Sequence, residues 1–373
     1  MTSLPAHLPE TPESVSLTPI PPGQPLLHRK TLRKWLIPLS TRTTLWAVVL
    51  LVFDYSLLLT ALAGTVFFQA AWAKLLAGLA AGFVTGRLFI IGHDACHQSL
   101  TPHRRLNKWL GRLAFLPSLT PYSLWDVGHN VIHHGYTNLK GVDFVWAPLT
   151  PAEYQALTPF QRLKERLYRS GWAPGLYYMT EIWWKRLFFP SRQQMPTQRK
   201  IFTQDGLLVT GFALAWAAVL VWAAQVTAQP VLPVLLTGWL LPFVFWNAMI
   251  GFVVYVHHTH VQVRWHEEKA AWTRAQPFVS TTVHLTFPLG IGAVLHHIME
   301  HTAHHVDMSI PLYRLKDAQA QLEHMLPERI IVQPFSWRWY FQTARACKLY
   351  DFNRQGWTDF AGRLTSAPAL PAT

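Results

Sequence analysis

Sixteen of the nineteen histidines in this chain fall in two windows, 93–134 and 257–305. Imidazole nitrogens at helical spacing hold transition metals, so chemistry is sought there first. His93-Asp94-Ala95-Cys96-His97 stacks two imidazoles on one face of a helix, four residues apart. Taken alone, such a pair reads equally as a polar helix end. His129-Asn130-Val131-Ile132-His133-His134 adds an i, i+4 pair with a neighbour turned by about 100°, so the doublet can address two ions. His301-Thr302-Ala303-His304-His305 combines i, i+3 and i, i+4 spacing in one helical stripe. The three boxes hold more imidazoles than one zinc uses. Iron, copper, nickel and zinc all accept imidazole. The histidine count and the lack of thiolates favour two octahedral ions, and iron, a redox metal suited to work among lipid chains, is the expected one. The chain has two cysteines, Cys96 and Cys347, too few for an iron–sulfur cluster or a disulfide framework.

The boxes need elements to hold them. Half of the residues are apolar and only 14% are charged, a balance that points to a membrane. Apolar runs at about 45–68, 72–91, 206–228 and 231–256 have spanning length. Short turns join them pairwise, which predicts two helical hairpins. A basic collar, His28-Arg29-Lys30 with Arg33, Lys34 and Arg42, precedes the first run, and the opposite turns carry no charge but Lys74. The positive-inside rule then places both termini and the histidine windows in the cytoplasm. The expected fold is all-α and integral to the membrane: four transmembrane helices as two hairpins, with a cytoplasmic helical cap holding a di-iron site.

The expected organisation is a disordered, basic cytoplasmic N-terminal segment over 1–44, a membrane domain over 45–315 and a cytoplasmic C-terminal segment over 316–373. Residues 1–27 contain seven prolines and no apolar periodicity. Three further stretches, 109–124, 176–189 and 278–295, are broken by Pro, Arg, paired Trp or hydroxyl residues and are not counted as spans. The net charge of +13 is assigned to membrane asymmetry, since no basic run is interleaved with a nucleic-acid module. Most of the eighteen tryptophans read as interfacial anchors, with Trp125 and Trp146 as alternative walls of a substrate tunnel. Asp54 and Arg87 fall deep in the first two runs, where a structural pair between neighbouring spans and a catalytic role are equally open. Asp94, Asp126, Glu300 and Asp307 lie beside the boxes, where a carboxylate can orient an imidazole, and Asn130 and Asn138 can hydrogen-bond nearby.

In their order and hairpin context, HDACH, HNVIHH and HTAHH resemble the three histidine boxes of the membrane fatty-acid desaturases. His258-Thr259-His260 after the fourth run, and His297 to His305 followed by Ile310-Pro311-Leu312-Tyr313, resemble the Δ12 (omega-6) branch. The second box is HxxxHH where many Δ12 members have HxxHH. The resemblance implies His93, His97, His129, His133, His134, His301, His304 and His305 as metal ligands. It adds a histidine at the end of the fourth span, best matched by His258, with His257 and His260 as rivals. His297 is implied as a further ligand or as a residue that orients one, and Asp94 as another such candidate.

By the same resemblance the chain is an O2-dependent di-iron desaturase of membrane lipid acyl chains. Electrons are expected from ferredoxin or a small cytochrome with its reductase, drawn to the basic face, because the chain has no iron–sulfur, dinucleotide or fused cytochrome motif of its own. A lipid or carotenoid hydroxylase or ketolase shares the boxes and stays open. A histidine-rich transporter fits less well, because transporters place polar sites near the midplane.

Overall fold

The computed structural model describes residues 18–195 and 197–367, so residues 1–17 of the segment expected to be disordered lie outside the described part. Among the described residues four helices are long and apolar enough to cross a membrane: Thr44–Phe67, Ala71–Cys96, Lys200–Val226 and Val231–His258. In hydrocarbon the backbone must satisfy its own polar groups, and an unbroken helix does so. At 1.5 Å per residue these helices run roughly 36–42 Å, longer than the ~30 Å hydrocarbon core. The excess matters at two ends. The second span continues to Cys96, past the expected 91, and the fourth to His258, past 256, so the helical ladder itself carries His93, His257 and His258.

The second span is the central one. Its apolar window is 72% buried, against 22% for the first span and 17% for the third. Gly78, Gly82 and Gly86 recur every fourth residue on it, and Cβ atoms there would collide with Thr237, Phe245 and Met249 of the fourth span. Small residues let two helices approach where lipid offers no hydrophobic drive. Lys74 is buried, and its ammonium donates to the carbonyl oxygens of Thr65 (2.9 Å) and Val66 (3.1 Å), closing the end of the first span. The fourth span widens into a π-helical turn over Leu236–Leu240, between Pro233 and Pro242.

None of the three remaining apolar stretches forms a span. Residues 109–124 enter the helices Arg104–Phe115 and Tyr122–Asp126. Residues 176–189 form the end of a short helix and a π-helix, Tyr178–Phe188. Residues 278–295 hold a strand, a 3-10 turn and the short helix Ile291–Val294.

The all-α expectation needs correction toward the C-terminus. Strand Val283–Thr286 pairs in parallel with Ile331–Pro334, and Leu349–Asp351 pairs antiparallel with Gly356–Thr358. Val283 and Leu285 are buried while His284 and Thr286 are partly exposed, the period-two alternation a half-buried strand requires. The chain is mostly helical with two small two-stranded sheets among the described residues. Beyond residue 17 the N-terminal segment is anchored first at Ile20, which is buried and whose N–H donates to the carbonyl of Met325 at 2.9 Å. Helix Arg29–Leu36 buries Leu32, Trp35 and Leu36.

Gly82→Leu is expected to destabilise the protein by about 1–3 kcal/mol through overpacking, read as a lower thermal unfolding midpoint in detergent.

Candidate metal centre

Four separate elements deliver the imidazoles. His93 lies in the last turn of the second span and His97 caps it. His129 and His133 lie on the π-helical segment Val127–His133, capped by His134. His258 ends the fourth span, and helix His301–Val306 carries His301, His304 and His305. The second box differs from the expected α-helix. The His134 N–H donates to the His129 carbonyl five residues back, at 2.9 Å, so the turn is wider than an α turn.

Nine of these side chains gather in two groups. His93, His97, His129, His134 and His304 offer ring nitrogens within 4.8 Å of one another, and His133, His258, His301 and His305 do the same. In the first group Nε2 of His129 stands 3.0 Å from Nε2 of both His93 and His134. His304 Nε2 lies 3.1 Å from His134 Nε2, and His97 Nε2 lies 3.4 Å from His93 Nε2. In the second, His301 Nε2 lies 3.0 Å from His258 Nε2 and 3.1 Å from His305 Nε2. The adjacent residues His133 and His134 go to different groups. So do His304 and His305, although the third box reads as a single stripe.

Burial, reinforced by the like-charged neighbours, holds His97, His129, His134, His301, His304 and His305 well below the ordinary imidazole pKa. They are neutral bases with lone pairs to give. Protons alone do not satisfy such an arrangement, since one N–H serves one acceptor while His129 Nε2 faces two nitrogens. A cation at each convergence point does, so the donor set fits two metal ions.

Contacts behind the imidazoles fix which nitrogen faces inward. His133 Nδ1 lies 3.0 Å from Asp143 Oδ1, leaving Nε2 for the interior. Asp143 is itself held by the N–H groups of Asn138 (2.8 Å) and Val145 (3.0 Å). His258 Nδ1 meets the Thr281 carbonyl at 3.3 Å, and His305 Nδ1 meets Thr137 Oγ1 at 3.2 Å. Trp125 stacks on His129 with ring centroids 4.1 Å apart.

Asp143 and the Thr281 carbonyl are not among the residues that sequence reasoning singles out. They sit in irregular segments, where no periodicity ties a residue to a box, and only the loop's own hydrogen bonds reveal the connection. Three of the carboxylates singled out by proximity face elsewhere. Asp94 accepts from the Leu312 N–H, Asp126 from the Asn130 amide, and Asp307 pairs with Arg33. Glu300 does meet an imidazole, that of His297, at 2.9 Å. Asn138 donates its amide to the Arg264 carbonyl.

His257, His260, His297 and Asp94 lie outside both groups. His257 stacks on His301 at 3.8 Å with Nε2 beside Met299 sulfur, and His260 stacks against Trp339. Asp54 and Arg87 pair at 2.7 Å.

One cavity touches both groups. Its walls include Phe89, Ile90, Ile182, Leu187 and Val253, with Trp125 beside them, and His93, His129, His133, His258 and His301 open onto it. Trp146 stacks on Tyr177 and is not among the lining residues. An apolar slot of this kind recognises hydrocarbon by shape, because a methylene chain offers no polar handle.

The class these features define is an integral membrane protein with two buried histidine groups suited to metal, beside a largely apolar cavity. The fatty acid desaturase family matches residues 70–337, and the chain belongs to that family. It is an oxidoreductase, a fatty acid desaturase. The chain is 28% identical over 278 residues to the sn-1 oleoyl-lipid 12-desaturase of Picosynechococcus sp., covering 72% of this chain and 76% of that protein. It is 27% identical to the chloroplastic omega-6 fatty acid desaturase of Glycine max, over 88% of this chain and 76% of that one. With the corresponding Arabidopsis thaliana enzyme it shares 26% identity, over 92% and 71% of the two chains.

The depressed imidazole pKa values set a pH dependence. The unfolded chain binds protons near pH 6.5 while the folded one resists them, so the contribution to stability is complete above that pH and is lost as pH falls below it. For EDTA-treated protein the thermal midpoint is expected to hold steady from pH 8 to about 7 and then drop. Each imidazole that stays neutral contributes up to about 1.4 kcal/mol per pH unit, so a midpoint unchanged down to about pH 5 would contradict the burial of these rings.

Proposed function

We propose that this desaturase acts on acyl chains of membrane lipids and holds two iron ions on nine histidines, with O2 as co-substrate. His93, His97, His129, His134 and His304 hold one ion, and His133, His258, His301 and His305 hold the other. The observation that carries this reading is the convergence of Nε2 atoms. Five imidazoles converge in one group and four in the other, and a group of five exceeds the four ligands a tetrahedral zinc takes, which supports octahedral-type ions over zinc.

Iron, when bound, supplies with O2 the oxidant that unactivated methylenes require. The balance is R–CH2–CH2–R + O2 + 2 e⁻ + 2 H⁺ → R–CH=CH–R + 2 H2O. The chain's own part is to bind and orient. Phe89, Ile90, Ile182, Leu187 and Val253 hold the acyl chain and exclude water, which sets one C–C bond against the two groups. Asp143 holds the His133 ring with Nε2 inward. Trp125, flat on His129, limits the swing of that ring.

The names of the relatives support a Δ12 product on a glycerolipid-borne chain. Residues 45–315 form the desaturase domain in this reading, with the spans as two hairpins and the boxes in a cytoplasmic cap. Arg29, Arg33 and Arg42 bind Val306, Asp307 and Ser309 beside the third box, which supports a metal centre on the basic, cytoplasmic side. Ferredoxin or a small acidic cytochrome is the proposed electron donor to that face.

The test is the fatty-acid profile of host membranes by gas chromatography and mass spectrometry, with the chain and a ferredoxin reductase system co-expressed. A new double bond is expected, absent with His304→Ala; an unchanged profile from an iron-loaded protein would contradict the proposal. Asp143→Asn is expected to lower iron affinity by roughly 10–100-fold, measured by chelator competition on purified protein.

A further inference from the structure

The segment entering the third histidine box is tied to the spans by a buried ionic network. Asp54 lies ten residues past the start of the first span, roughly 15 Å along it, and is fully buried. Its Oδ1 accepts from Arg87 Nε (2.9 Å) and Nη2 (2.7 Å), and its Oδ2 meets His296 Nε2 at 2.7 Å. Arg87 turns its Nη1 to the carbonyl oxygen of Val294. One carboxylate and one guanidinium thus join the first span, the second span and residues 294–296.

Charges at this depth are costly, and apolar side chains would pair two spans at no such cost. What they cannot supply is directed bonding to residues 294–296, which follow an exposed stretch. Leu289 is 98% exposed, and Ile291 and Val294 are also exposed on the protein surface. His296 (φ +50°) and His297 (φ +57°) both adopt the left-handed conformation, which is strained for non-glycine residues. Beyond that turn, Ile298 lines the cavity and His301 joins the second imidazole group. The later part of the box has independent anchors: Thr302 bonds Thr282 at 3.0 Å, and the Ala303 N–H bonds Gln319 at 2.8 Å. Between Val294 and His301, Leu295, Ile298 and Met299 are buried in the apolar core, and the network adds the directed bonds that fix the left-handed turn at His296.

We propose that Asp54, Arg87 and His296 are positioning residues that hold Ile298 and His301 in place along the acyl cavity. The network therefore governs filling of the second metal site. This rests on the reading of the two imidazole groups as iron sites.

The experiment measures iron per chain, thermal midpoint and product double-bond position for the full-length protein in detergent, comparing wild type, Asp54→Asn, His296→Ala and His296→Gln. The glutamine amide restores a donor toward Asp54. Iron in Asp54→Asn and His296→Ala is expected to fall from about two per chain toward about one, with product falling roughly tenfold or more, while His296→Gln stays near wild type. Full iron and wild-type product in Asp54→Asn and His296→Ala would overturn the inference, even with a lowered midpoint. Equal iron loss in the alanine and glutamine variants would also overturn it, because the directed bond would then not be the cause. If His296→Ala fails to fold, Asp54→Asn against His296→Gln decides by the same criteria. A wild-type protein without iron would instead bring down the di-iron reading and this inference with it, an outcome visible before any variant is compared.

Discussion

Nine imidazoles must turn ring nitrogens inward at close range, in a buried place, and the rest of the structure answers to that demand. Their nitrogens fall within 4.8 Å in each group, although the residues come from distant segments of the chain. Burial helps by disfavouring the protonated form of rings such as His129 and His304, and it makes the arrangement costly wherever a ring nitrogen lacks a partner. Asp143, the Thr281 carbonyl and Thr137 each engage an outward-facing nitrogen.

The central second span follows from the same demand. It presents His93 and His97 at its end while its glycines let the fourth span, with His258, come close. Both helices overrun the hydrocarbon thickness, so the histidines continue a ladder begun in lipid instead of hanging from a loop. An imidazole on a packed helix has few rotamers to choose from, which is what a metal site needs. Phe89 and Ile90 of that span line the cavity a turn before His93, so one element sets the distance between hydrocarbon and imidazoles.

Irregular backbone does the dividing. The π turn at 127–133 sends the neighbours His133 and His134 to separate groups, and the short helix at 301–306 sends His304 one way and His301 with His305 the other. Such local distortion is stable because the surroundings over-determine it. Asn130 bonds the Cys96 carbonyl, tying the second box to the first, while the N-terminal arginines bind the end of the third.

Much of this protein was legible in its sequence, for a physical reason. Spanning helices need long apolar runs, and histidine boxes keep helical spacing because adjacent turns of one helix place their rings; both are local constraints that a linear pattern records. Four spans, three boxes and the desaturase family could be read that way. Their partition could not. That His129 shares a group with His134, and that Asp143 rather than Asp94 or Asp126 orients a box imidazole, depend on how distant segments pack. So do the small sheets, in which Val283 meets Ile331 from a segment well downstream. Only tertiary structure decides these, because a side chain's direction in an irregular turn is set by its neighbours in space.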